Sequence, residues 1–160
     1  MPNIVLTRID NRLIHGQVAV TWSSHVGANL IIVVDDEVAK DKTQQVLLDL
    51  AAPPGVSTRY FTVEETIQKI HKAAPHQKIF IVVRDVNVLV KLVEGGVPIK
   101  EVNVGNMHFK ECKKQISSTV SVDENDIAAF KRLNDLGVKC EVRRVPSEKG
   151  IDIMELIKEG

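Results

Sequence analysis

Short apolar runs rich in Val and Ile recur along the chain, at residues 4–6, 30–34, 56–61, 79–83, 102–104, 120–122 and 138–142. Several are continuously apolar rather than alternating, the pattern of strands covered on both faces. Helix-compatible stretches separate most of them. The first, residues 18–26, follows the first run after a short polar turn. Asp36 is placed to cap a second, running through Leu48 and stopping before Pro53-Pro54-Gly55. Thr62-Val63-Glu64-Glu65 spells a capping box, with Glu65 three residues past the cap and Ile67 and Ile70 supplying an apolar stripe. Asp85 opens a further helix that Gly95-Gly96 ends. Asp123 stands before Ile127, Phe130 and Leu133, with Gly137 as the stop, and Ile151, Met154, Leu156 and Ile157 mark a terminal amphipathic helix.

Strand and helix in alternation predict an α/β fold: a doubly wound, mostly parallel β-sheet with helices on both faces and right-handed crossovers. At 160 residues one domain, 1–160, is expected. An eightfold barrel would need about 250 residues. One stretch breaks the alternation. Residues 105–118 join two strand candidates with little apolar periodicity and carry Asn106, His108, Lys110, Lys113 and Lys114. Long irregular connections of this kind are often functional. This one is expected on the sheet edge that also holds the turn after the first strand.

Composition adds exclusions. With 44% hydrophobic and 26% charged residues the chain is an ordinary globular sequence. Its 21 basic and 21 acidic residues balance, and neither half carries an excess, so no nucleic-acid partner is expected. The longest aliphatic runs fall far short of the ~20 residues that cross a bilayer. Asn3, Arg8, Asp10 and Arg12 interrupt the region where a secretory leader would need apolar residues. Cys112 and Cys140 form neither a disulfide framework nor a metal knuckle, and two reduced thiols in a cytoplasmic protein are expected.

The chemistry concentrates in Arg8-Ile9-Asp10-Asn11-Arg12-Leu13-Ile14-His15-Gly16-Gln17. One imidazole and two guanidinium groups gather where a strand gives way to a helix. Open α/β sheets place their chemistry at such carboxyl ends. The first N–H groups of the helix, with its positive dipole end, suit an anion such as phosphate. Arg8 and Arg12 offer planar forks for phosphate oxygens, and Gly16 lets a ligand or partner approach the imidazole. Asp10 has two open roles: fixing the tautomer of His15, or pairing with an arginine. An arginine-flanked histidine of this kind suits transient phosphorylation, since phosphoryl transfer asks mainly for positioning and charge neutralisation. A metal site from Asp10, His15, Asp35 and His108 has no supporting spacing, so neither a metal nor a cofactor is expected. Trp22 is expected in or near the core, and His25 at a helix end.

The run from Arg8 to Val18 resembles the active-site loop of the IIB components of the bacterial sugar phosphotransferase system, in the mannose/fructose/sorbose family. Further matches are Val34-Asp35-Asp36-Glu37-Val38-Ala39-Lys40-Asp41, Asn103-Val104-Gly105-Asn106-Met107, and the late Gly137-Val138 and Val145-Pro146 pairs. The resemblance implies the same doubly wound fold and a phosphohistidine at His15, formed on Nδ1. The phosphoryl group would come from a phosphorylated IIA protein or domain. It would pass to a sugar held by the membrane IIC/IID components, with the chain at the cytoplasmic side of that permease. It also implies phosphate contacts from Arg12, Arg8, Gly16 and Gln17, with Asp10 supporting the loop. Within the family the likeness points to N-acetylgalactosamine or a related amino sugar. A homo-oligomer is allowed. Position 11, usually acidic in the family, is Asn11 here. The rival function is a non-catalytic module that binds an anionic metabolite or a partner at the Arg8–Arg12 turn.

Overall fold

The computed structural model describes residues 2–159. Six strands run parallel in one sheet: β1 (Asn3–Asp10), β2 (Leu30–Val34), β3 (Ser57–Phe61), β4 (Lys78–Val83), β5 (Glu101–Asn106) and β8 (Lys139–Val142). A two-residue β9 (Ile151–Asp152) adds antiparallel to β8, giving the order β3-β2-β4-β1-β5-β8-β9. The helices are α1 (Gly16–Val26), α2 (Lys42–Ala51), α3 (Val63–Lys69), α4 (Val86–Glu94), α5 (Glu124–Asp135) and α6 (Ile153–Glu159).

The continuously apolar strands do what their composition demands. Leu30, Ile32 and Val34 of β2 enter one core with Ile79, Ile81 and Val83 of β4, while Ile31 and Val33 join Phe80 and Val82 in a second core behind the sheet. Residues of α3 to α6 close the first core, among them Leu89, Leu92, Phe130, Leu133 and Ile153. Ala19 and Trp22 of α1 and Leu48 of α2 close the second. The sheet is therefore doubly wound, as the alternation implied. Each fully buried Leu, Ile or Phe contributes roughly 1.5–3 kcal/mol of transfer free energy, so two such cores fix the strand ends firmly.

The local signals have mixed outcomes. Thr62 and Glu65 form the reciprocal capping box, and Asp85 caps α4 through the Asn87 N–H. Asp123 and Asp126 form a second box at the head of α5. Asp36 does not cap the second helix. That role belongs to Asp41, whose side chain accepts from the Gln44 N–H. Asp35 instead accepts from the N–H groups of Glu37 and Val38 and pairs with Arg84, and Asp36 accepts from the Val63 N–H. The turn after β2 thus takes one extra loop, with a 3-10 turn at Val38–Lys40, before α2 begins.

Residues 120–122 are not a strand of the main sheet. A short hairpin of β6 (Lys114–Gln115) and β7 (Ser121–Val122) sits beyond the end of β5, tied to it by a bridge between Met107 and Val120. Two residues per strand are enough to bury Val120 and Val122 but too few to extend the sheet. Ile151 belongs to β9 rather than to the terminal helix.

Candidate functional site

β1 is longer than its apolar run suggests, because it continues through Arg8, Ile9 and Asp10. Ile9 enters the first core, and Arg8 and Asp10 alternate with it on the other face. Both are buried, 2% and 1% exposed. The polar turn therefore starts at Asn11, not at Arg8.

Five residues connect β1 to α1, and they are anchored from three sides. The Asn11 N–H donates to the Asn106 carbonyl at the end of β5, 3.1 Å, and the Leu13 N–H donates back to the Asp10 carbonyl, 2.9 Å. Leu13 and Ile14 insert into the second core beside Trp22. Leu13 reaches that position with φ of 60°, a left-handed conformation that costs a β-carbon-bearing residue on the order of 1 kcal/mol. The burial of Leu13 offsets that strain. Between these anchors Arg12 stays a third exposed and His15 faces solvent.

His15 occupies the N-cap of α1 in extended backbone geometry, and its side chain makes no cap hydrogen bond. The imidazole is free of local structural duty. The first turn of α1 holds no acidic residue, so no side chain within that turn offsets its positive dipole end. A β-carbon built at Gly16 would meet nothing within 4 Å, and its φ is not positive. Neither packing nor backbone geometry requires glycine there, and the space beside the imidazole is open to a second molecule. Gln17 is exposed on the same turn.

Asp10 resolves its two open roles in favour of the arginines. Its Oδ1 accepts from the Arg12 backbone N–H, 3.0 Å, and from Arg12 Nε, 3.1 Å; its Oδ2 accepts from Arg12 Nη2, 3.1 Å. This fork-to-fork pairing gives Arg12 one orientation and leaves its outer Nη1 edge available. Oδ2 also takes the Arg8 guanidinium at 3.5 Å. Arg8 differs from its expected place among the phosphate ligands: it lies inside the protein. Its guanidinium bonds Asn103 and the Arg143 carbonyl and stands 5.5 Å from the centre of the Trp22 ring. Burial lowers its pKa, against the opposing pull of Asp10, yet a guanidinium remains protonated. Sequence reasoning missed this because the apolar run ends at Leu6 and the bulge in β1 between Ile4 and Leu6 hides the register.

The residues after β5 do reach the same edge of the sheet, through the Asn11–Asn106 bond. Asn11, Met107, His108, Lys110 and Lys113 line a cleft of about 700 Å³ there, with Asp35 and Arg84 on its far wall. Lys113 is drawn down onto Asp126 at 2.9 Å. The Asn11 Oδ1 atom is buried without a partner among the described residues. Among those residues no group of three or more His, Cys, Asp or Glu is placed to hold a metal ion. Trp22 is core, 3% exposed, its indole N–H donating to the Arg144 carbonyl, and His25 stands in the last turn of α1 with its ring edge-on to Trp22.

The sequence profile described as "PTS system sorbose subfamily IIB component" covers residues 4–160. The chain belongs to that family. It is 55% identical over 149 residues to the N-acetylgalactosamine-specific phosphotransferase enzyme IIB component 1 of Escherichia coli (strain K12), covering 92% of this chain and 94% of that one. Component 2 of the same organism is 50% identical over 157 residues, covering 98% and 100%. Among solved structures, the IIBSor domain of the sorbose permease from Klebsiella pneumoniae superimposes with a TM-score of 0.92 at 37% identity, over 98% of this chain and 97% of that one. The IIB chain is thus a phosphotransferase component that acts in sugar phosphotransfer, in a family that works with IIA and membrane IIC/IID partners. Among its described residues no helix is long and apolar enough to cross a membrane.

Proposed function

We propose that His15 is the phosphoryl carrier of this IIB chain. A neutral imidazole nitrogen, Nδ1, attacks the phosphorus of a phosphohistidine on IIA. The new N–P bond forms as the donor's N–P bond breaks, and the donor imidazole leaves. In the second step a sugar hydroxyl held by IIC/IID attacks the same phosphorus and releases His15. Charge on the equatorial oxygens is met by Arg12 and by the first N–H groups of α1, from Gly16 and Gln17. Asp10 and Arg8 hold Arg12 in place. The chain works on the cytoplasmic face of the permease.

One observation carries this assignment: His15 sits at the N-cap of α1 with an imidazole that makes no cap hydrogen bond, exposed beside a glycine that neither packing nor backbone geometry requires among the described residues. The sugar is N-acetylgalactosamine or a related amino sugar, in line with the names of the two Escherichia coli relatives. The test is phosphorylation of N-acetylgalactosamine, galactosamine, mannose and sorbose by vesicles carrying the N-acetylgalactosamine IIC/IID permease, charged through this chain. Turnover of the amino sugars supports the assignment. Equal or better turnover of mannose or sorbose overturns the choice of sugar, and no sugar phosphate from any of them overturns the carrier role.

A further inference from the structure

Arg8 is an expensive residue to bury. Removing a guanidinium from water is repaid only by good geometry and complete hydrogen bonding, yet Arg8 is 2% exposed and its Nε has no partner among the described residues. Among the described residues the only carboxylate it reaches is that of Asp10, which Arg12 also uses. Two cations thus share one anion. An apolar side chain would fill the same space at lower cost, so the fold's own stability does not account for the arrangement. Its geometric consequence does. With Arg8 on Oδ2, the Asp10 carboxylate is pinned so that both oxygens meet Arg12. The triad keeps a net positive charge turned toward the loop that carries His15.

What holds Arg8 in turn is β5. Arg8 and Asn103 are register partners across the parallel pair. Asn103 donates its Nδ2 to the Arg143 carbonyl at 3.0 Å, which leaves its Oδ1 facing Arg8. Two residues on, a β-carbon at Gly105 would overlap the Arg8 guanidinium at Cζ and at both Nη atoms. Gly105 has no positive φ, so close approach of the guanidinium, and not backbone freedom, is the reason for a glycine there.

We propose that Asn103 and Gly105 are positioning residues for phosphotransfer, seating the Arg8 guanidinium so that Asp10 aligns Arg12 on the phosphoryl group. This rests on His15 being the carrier. The two residues touch no substrate; they act through Arg8 and Asp10, and the motif that contains them is explained by that relay.

The test uses phosphoramidate as the phosphoryl donor, so that no docking partner enters. The group moves from phosphoramidate to His15 with ammonia leaving, and the rate is followed by phosphorus NMR on wild type, Gly105→Ala, Asn103→Ala and Asn103→Asp. Displacement by about 1 Å costs up to about 100-fold in rate. Gly105→Ala and Asn103→Ala are expected to react about 10- to 100-fold more slowly, with the Arg12 Nε–H resonance shifted. Asn103→Asp keeps an acceptor for Arg8 but loses the bond to the Arg143 carbonyl and adds a negative charge, so it is expected to recover part of the rate lost in Asn103→Ala and to move the resonance back toward wild type. Wild-type rates in both alanine variants overturn the proposal, as does an Asn103→Asp rate no better than Asn103→Ala. Should Gly105→Ala fail to fold, the two Asn103 variants decide alone. If wild type itself takes no phosphoryl group while Arg12 keeps its resonance, the carrier assignment fails instead.

Discussion

Arg12 is locked onto Asp10 by three hydrogen bonds, two from its guanidinium and one from its own backbone N–H, all between 3.0 and 3.1 Å. A side chain normally among the most mobile is thereby given one direction, as the proposed contact with a phosphoryl group requires. Preorganised charge of this kind costs no rearrangement at the moment of transfer.

Arg12→Ala should slow phosphorylation of His15 by about 100- to 1,000-fold, the cost of deleting a preorganised charge donor. Its thermal midpoint should stay close to wild type, because Arg12 is a third exposed. Arg12→Lys keeps the charge but loses the bidentate fork, and should recover only part of the rate. Rapid-quench labelling with a phosphorylated IIA protein separates the three. A wild-type rate in Arg12→Ala would assign the phosphate oxygens to other groups.

Asp10→Asn acts on both arginines. It leaves Arg8 buried without an anion, a loss on the order of 3 kcal/mol for one broken partner of a buried pair, and it frees Arg12. Urea denaturation should therefore show a lower midpoint, with transfer slowed as well. Unchanged stability would mean that Arg8 is held by Asn103 and the Arg143 carbonyl alone.

The helix caps carry a pH dependence. The Thr62 backbone N–H holds the Glu65 carboxyl below its ordinary pKa, and the Asp126 backbone N–H does the same for Asp123. Groups depressed in the fold stabilise it above the ordinary carboxylate range and lose that contribution as the pH falls through their folded values. Stability should thus decline on acidification below the usual carboxylate range. Thr62→Ala should cost about 1 kcal/mol at neutral pH, read by chemical denaturation at both ends of the window.

The two thiols should behave oppositely. Cys112 is exposed and Cys140 buried, and desolvation pushes the Cys140 thiol up to about 12. Iodoacetamide at pH 8.5 should label one cysteine in the native chain and two in denaturant. Native labelling of Cys140 would show that the β8 side of the first core opens readily.

Much of this was legible in the sequence because the signals were mutually reinforcing. Residues 30–34 and 79–83 are apolar without interruption, and their shortness and β-branched content favour a strand covered on both faces. Thr62, Asp85 and Asp123 could be read as helix caps because each stands ahead of apolar positions, with a capping-box Glu65 after the first and a glycine stop after the other two. Asp36 misled because Asp35 and Asp41 compete for the same turn, and the choice depends on Arg84 and Val63, distant in sequence. Residues 120–122 have strand composition but are spent on a hairpin, since β5 and β8 already pair with each other. At the site, His15 and Arg12 could be picked out from a single loop. The burial of Arg8 could not, because it depends on Asn103, Gly105 and Arg143, which reach it from β5 and from the end of β8.

The measurement that bears most directly on the central claim is the fate of label from phosphoenolpyruvate, passed through the general phosphotransferase proteins and a IIA protein of the same subfamily. Peptide mapping should place an acid-labile, alkali-stable phosphoryl group on His15, and His15→Ala should carry none. Label on another residue, or equal labelling of His15→Ala, would contradict the account.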